Sequence, residues 1–290
     1  MAVAPSFPLY DLPKDELCSV IRVMDPVALF KLSLLSRRSK NLVKSRKWNA
    51  FGLYIYVHSW SIDIRCNFSQ FLGVSCTFHT DNSVPKEIVN PSDIMFRCNM
   101  DLSYNWRKKG FEARDWLDHF KTTFHLKKFD ILFLDYAALF NIDSLYKQFG
   151  TPNFLSIRKS FSHDTDNQIL KVLAPKNRLY VTTSIFESWH NRNTILIQTL
   201  DELGMYGPDS SFTLDHLLCI NARKIVCSVS EVSLKVVNKF LKLWKSGSNS
   251  RLEQLYIKLQ SYVPGSDIIM KGIAYQIVPR EQNEQRRFKS

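Results

Sequence analysis

At 290 residues, 45% hydrophobic and 23% charged, the chain is long enough for one or two domains with real cores and has the balance of an ordinary globular protein. Its net charge of +12 favours acidic partners, whether nucleic acid, an anionic membrane surface or an acidic protein, without choosing among them. No stretch reaches the roughly 18 consecutive apolar residues of a membrane span, "MAVAPSFPLY" has no signal-peptide pattern, and the six cysteines form no Cys-x-x-Cys pair, so the expectation is an intracellular protein with reduced thiols, cytoplasmic or nuclear, with no membrane partner.

Leu17, Val20, Ile21 and Met24 recur at helical spacing and predict a first short helix. Asp25-Pro26 ends it and opens a second, because Asp suits an N-cap and Pro the first helical position. The second helix carries Val27, Leu29, Phe30, Leu32, Leu34 and Leu35 on more than one face, which predicts cover on two sides. A third, basic helix follows, with Leu42 and Val43 inward and Trp48 near its end. Three helices in about forty residues make a marginal domain without a staple or a partner. The surplus apolar face is therefore expected to meet a protein partner, with packing onto the rest of the chain as the alternative.

Residues 52–105 read as short strands, among them "LYIYV", "SIDIRC", "GVSCTF" and "DIMFRC". "FEARDWLDHFKTTF" predicts a helix with Phe111, Trp116, Phe120 and Phe124 as its buried stripe. From Phe129 a repeat begins. The runs "FDILFLDY", "FLSIRKS", "RLYVTTS", "LDELGMY", "KIVCSVS" and "LEQLYIKL" look like strands, with helical patterns between most of them. Anchors at Leu132, Ile157, Val181, Leu203, Cys227 and Leu255 are separated by 25, 24, 22, 24 and 28 residues. A strand and a helix every 20–29 residues is the mark of a leucine-rich-repeat-like solenoid. The 182–198 stretch fits it poorly, so the repeats are degenerate.

Two resemblances now follow from the residues. "FPLYDLPKDELCSVIRVMDPVALFKLSLLSRRSKNLV" resembles an F-box through Leu12-Pro13, the Leu17/Val20/Ile21 face, the Asp25-Pro26 break, the Leu29/Leu32 pair and Ser36-Arg37-Arg38. Many F-boxes place a Trp soon after the Ser-Arg pair; here Ser39 and Lys40 stand there, which is closer to the nematode form of the family. The resemblance implies docking onto a Skp-type adaptor and, through it, a cullin–RING ubiquitin ligase. The residues it implies are Leu9, Leu12, Pro13, Leu17, Ile21, Pro26, Leu29, Leu32 and Ser36. Further on, "FTLDHLLCINARKIVCSVSEVSLKVVNKFLKLWKSGSNSRLEQLYIKL" is similar to the type 2 F-box-associated domain of nematodes. Asn221, Asn238, Phe240, Leu241, Lys242, Trp244, Gly247, Ser248, Asn249, Arg251, Leu252 and Leu255 fall on that pattern. That family's implied role is capture of the protein to be ubiquitinated, with the target itself unknown.

Signs of chemistry are missing from the sequence. No Gly-rich phosphate loop or Gly-x-Ser-x-Gly elbow is present. His216-x-x-Cys219 is the nearest approach to a metal half-site, without a second pair at zinc spacing. Glu112 with Asp115, and Asp201 with Glu202, read as solvated charge. No catalytic residue, metal or cofactor is expected.

The expected fold is mixed α/β: a three-helix F-box over residues 5–50, then a degenerate leucine-rich-repeat-like α/β solenoid within a target-binding domain over 55–285. The expected function is a substrate-recognition adaptor of a Skp–cullin–F-box ligase. The alternatives are a basic nucleic-acid-binding protein, set behind because its basic run is interleaved with core-spaced apolar residues, or a non-ligase interaction scaffold. Target binding is expected on alternate strand positions that mix aromatic and basic character, namely Arg158, Lys159, Tyr180, Tyr256 and Lys258, a surface suited to an acidic protein segment. Trp244 is expected in the core, joining its helix to the last strand.

Overall fold

Asp25 decides where the first helix stops and the second starts. Its carboxylate accepts from the backbone N–H of Val27 at 2.8 Å and of Ala28 at 2.9 Å, and Pro26 takes the first helical position, where its missing N–H costs nothing. A computed structural model of the chain describes residues 9–46, 50–59, 61–68, 73–79, 94–98, 102–106, 110–133, 140–158, 163–182, 195–207, 213–229, 233–259 and 267–276. Trp48, Lys159 and most of the 182–198 stretch lie outside them.

The architecture is mixed α/β, with helices at the N-terminus followed by strands. By compactness the chain divides into two units. One comprises Met1–Tyr56, Trp60–Asn82 and Ile88–Asp130; the other comprises Ile131–Ser290 with Val57–Ser59 and Ser83–Glu87. The sequence reading sets a boundary near residue 50, whereas compactness sets one near 130.

The first unit opens with α1 (Lys14–Val23), α2 (Pro26–Leu35) and α3 (Arg37–Ser45). Ile21, Leu29, Leu32 and Val43 form the small core among these helices, with Leu9, Met24 and Leu42 at its margin. Arg46 closes the C-terminal end of α1 by donating to the carbonyls of Ile21, Arg22 and, at 3.3 Å, Met24. Five strands follow: β1 (Gly52–Val57), β2 (Ser61–Asn67), β3 (Gly73–His79), β4 (Ile94–Cys98) and β5 (Leu102–Trp106). They neighbour one another in that order, and β2 to β5 pair antiparallel.

Helix α4 (Ala113–Thr123) completes this unit, and the carboxylate of Asp115 accepts from the N–H of Glu112 at 2.9 Å to cap it. That cap is the task of one of the acid pairs seen in the sequence. Trp116, Phe120 and Phe124 are fully buried, as the stripe predicts, whereas Phe111, its first member, precedes the helix and is half-buried. Phe30 of α2 stacks on Phe120 with centroids 4.4 Å apart, and Phe124 meets Phe68 edge-on at 4.7 Å. Ser33 donates to the Phe30 carbonyl at 2.6 Å, so at 2.7 Å its oxygen accepts from Nε2–H of the buried His119. Helix α2 is thus covered on two sides, by α1 and α3 and by α4. The apolar surplus assigned from sequence to a protein partner is met on the α2 face within the chain, because a helix stripe shows that something covers it and not what.

The second unit alternates strands and helices: β6 (Asp130–Phe133), α5 (Ile142–Phe149), β7 (Phe154–Ile157), α6 (His163–Val172), β8 (Arg178–Thr182), β9 (Leu200–Gly207), α7 (Leu214–Cys219), β10 (Ala222–Val229), α8 (Leu234–Lys245), β11 (Gln254–Leu259) and α9 (Asp267–Met270). Strands β6 to β11 neighbour one another in sequence order, and β7 to β11 pair parallel. Leu155, Leu179, Leu203, Ile225 and Leu255 stand in one register row, separated by 24, 24, 22 and 30 residues. Ile157, Val181, Met205, Cys227 and Ile257 form the next. The sequence anchors mixed the two rows: Leu203 and Leu255 belong to the first, Ile157, Val181 and Cys227 to the second.

Asn153, Asn177 and Asn221 each stand immediately before a strand. The Asn177 side chain donates to that of Asn153 at 2.9 Å, and that of Asn221 to Thr199 Oγ1 at 3.2 Å. These amides tie neighbouring turns where the ladder of the sheet has not yet begun.

Burial controls thiol chemistry in both units. Desolvation pushes the Cys227 thiol up to about 12 and raises Cys66 and Cys76 as well, while Cys219 is exposed. In the native protein at pH 8, an aromatic disulfide reagent is expected to label Cys219 within minutes and these three only on unfolding. Mass mapping of the labelled peptides checks it, and equal rates at all four thiols would contradict it.

Candidate functional site

Parallel strands joined in sequence order by right-handed connections carry every connecting helix on the same face. That face of β7–β10 is apolar and closed: Leu155, Leu179, Leu203, Ile225, Val181 and Met205 are fully buried. Alternate residues point to the opposite face. There, Phe154, Arg178, Glu202, Lys224 and Gln254 make one row, and Ser156, Tyr180, Gly204, Val226 and Tyr256 the next. Thr182, Tyr206, Ser228 and Lys258 make a third. Arg158 directly follows Ile157 at the head of that third row, and its charge acts on the Tyr206 hydroxyl. Most of these side chains are half-exposed; Tyr256 is 47% exposed.

Aromatic rings line this open face. Tyr180 meets Phe154 edge-on at 4.8 Å and Tyr206 at 5.4 Å, and the Arg178 guanidinium lies 4.8 Å over Phe154. The Tyr180 hydroxyl donates to Glu202 at 2.5 Å, and Lys224 pairs with the same carboxylate oxygen at 2.8 Å. Burial first, and then the Glu202 carboxylate, raise the Tyr180 hydroxyl above its ordinary range, so it stays a neutral donor. A Cβ at Gly204 would lie 2.4 Å from the Tyr180 ring, so only glycine lets that ring lie across β9.

Of the target-binding residues expected from sequence, Tyr180, Tyr256 and Lys258 lie on this face, Arg158 lies exposed at its margin, and Lys159 falls outside the described residues. Phe154, Arg178, Glu202, Gly204 and Tyr206 were missed. Only the strand register brings them together, although the alternation of each strand places them on the polar side.

Among the residues expected to meet an adaptor, Leu17, Ile21, Pro26, Leu29 and Leu32 are buried, Leu9 and Leu12 half-buried, and Pro13 and Ser36 exposed. Leu35, expected from sequence to be covered with the rest of its helix, is instead 65% exposed, and Val23 is 84% exposed. His216 does not stand in a metal half-site: it is buried, and its Nδ1 accepts from the N–H of Thr213 at 3.2 Å to cap α7. Among the described residues no group of three or more His, Cys, Asp or Glu could hold a metal ion, and no helix is long and apolar enough to cross a membrane.

The motif of the second resemblance does structural work. Asn238 donates to the carbonyls of Ile269 at 2.8 Å and Lys271 at 2.9 Å, holding α9 against α8. Gly247, at φ +101°, reverses the chain after α8. Trp244 stacks on Phe240 and donates from Nε1 to the Leu252 carbonyl at 3.0 Å. It joins helix to strand as expected, but it is half-buried; the buried residues of this face are Val237 and Phe240. Trp244→Ala is therefore expected to cost about 2 kcal/mol, below the 3–5 of a fully buried Trp. A urea titration checks it.

With this geometry in view, comparison with known proteins is informative over part of the chain. No curated protein and no solved structure matches it. Residues 191–257 match a family model described as F-box associated, a span that takes in β9, α7, β10, α8 and most of β11, about a quarter of the chain.

Proposed function

We propose that the chain is the substrate-recognition adaptor of a Skp–cullin–F-box ubiquitin ligase. In this reading the N-terminal helices are an F-box that docks a Skp-type adaptor, and β6–β11 form a degenerate leucine-rich-repeat-like solenoid that captures a target protein. The chain performs no catalysis itself, and it works in the cytoplasm or nucleus. The observation that carries the reading is the F-box-associated match of residues 191–257. The three N-terminal helices, in the order the F-box resemblance implies, support it, as does the register of β7–β11 with asparagines at strand starts.

The test is retention of a purified Skp-type adaptor by the full chain. Leu29 is fully buried, so an aspartate there would report on folding rather than docking. Leu12→Asp with Pro13→Asp alters a half-buried and an exposed position. The wild type should retain the adaptor, and the double variant, with unchanged Tm, should bind at least about tenfold more weakly. Failure of the wild type to bind, or equal binding by the variant, would refute the reading.

A further inference from the structure

Two lanes run across β7–β11 on the open face. One is largely apolar: Tyr180 with its ring lying over Gly204, then Val226 and Tyr256. The other is polar: Thr182, Tyr206 and Ser228, with Arg158 at one end and Lys258 at the other. Both terminal cations are exposed. The only acid of these rows is Glu202, and Lys224 already pairs with it. With Arg178 beside the aromatic lane, the face carries a cationic surplus over an aromatic floor.

The geometry points to an extended acidic protein segment as the occupant of this face, lying across the strands, its apolar side chains over the Tyr180–Gly204 lane and its carboxylates toward Arg158 and Lys258. This deepens the target-capture reading and rests on it. The fit has a length. Arg158 and Lys258 lie four strand spacings apart, about 19 Å, which about six residues of extended chain span. Gly204 sets the depth of the aromatic floor, since any side chain there would lift the Tyr180 ring. The cations steer approach and fix register, while the aromatic surface supplies contact area.

The probe is a fluorescently labelled random copolymer of Glu and Tyr, titrated with the full chain and read by anisotropy, beside poly-Lys and a 20-nucleotide single-stranded RNA. The copolymer should bind, more weakly as salt is raised, and poly-Lys should not. Arg158→Glu and Lys258→Glu sit at exposed positions that leave folding intact. Each should weaken binding about tenfold, and the two should combine nearly additively because they lie far apart. Gly204→Ala should weaken binding with every charge retained. No copolymer binding, or wild-type affinity in both charge reversals, would overturn the proposal. RNA binding that exceeds copolymer binding and is lost in the same variants would also overturn it, in favour of a nucleic-acid face. None of these variants lies in the N-terminal helices. Retained adaptor binding with no copolymer binding sinks only the acidic-segment proposal, and the reverse result sinks only the ligase link.

Discussion

Phe30→Ala is expected to destabilise the first unit by about 4 kcal/mol and to lower its Tm by roughly 10–20 °C. The ring is fully buried and stacks on Phe120 at 4.4 Å, with Trp116 and Phe124 at 6.2 and 6.1 Å and the His119 ring edge-on at 5.5 Å. Removing it opens a cavity among large rigid rings that cannot collapse to fill it, which is the costly case of core truncation. Phe30→Leu keeps much of the volume and should cost less than half as much. Calorimetry on the full chain checks the pair. An alanine variant with unchanged Tm would mean that α2 does not pack on α4 and that its apolar face is free for a partner after all.

Much of the first unit was legible because its signals are local. Asp25-Pro26 is a cap and a start in two residues, and the stripe on α4 needs only helical spacing. What local pattern cannot carry is the identity of the neighbour. Phe30 and Phe120 lie ninety residues apart, and no periodicity in either helix names the other. The surplus on α2 therefore read as a partner surface.

In the second unit the strands were legible and their register was not. Leu203 and Met205 are both apolar and both point inward, since the side chains of a strand alternate with a period of two. Either serves as an anchor to the eye, and only the backbone ladder shows that Val181 faces Met205. The open face was half legible for the same reason. Tyr180 and Tyr256 stand out within their own strands. The importance of Gly204 exists only once Tyr180 of the next strand lies over it, and Glu202 becomes part of the site through a tyrosine and a lysine from two other strands.

The motif around Asn249 poses the opposite case, a pattern that invites a functional reading and has an architectural one. Asn249 sits in the left-handed region at φ 52°, and its Nδ2 lies 3.1, 3.2 and 3.0 Å from the carbonyls of Leu217, Leu218 and Ile220. Those carbonyls stand where α7 ends and the helix runs short of N–H donors; Leu217's also accepts from the Ile220 N–H at 3.4 Å. Asparagine tolerates the left-handed conformation and brings two amide protons to share among them, which no other small residue does. Asn249→Ala should therefore lose both contributions, about 1–2 kcal/mol of hydrogen bonding and about 1–2 of backbone strain, for a total near 3. Asn249→Gly relieves the strain and still loses the amide, so it should recover about a third to a half of the loss. Asn249→Asp keeps the shape but points an acceptor at three acceptors, and it should be at least as damaging as alanine above the carboxylate's titration range. Chemical denaturation of the three variants measures the series. If alanine and glycine prove equal, the left-handed turn carries no cost here. If the aspartate variant is as stable as wild type, the amide is not what holds the end of α7, and the position becomes available for a binding role.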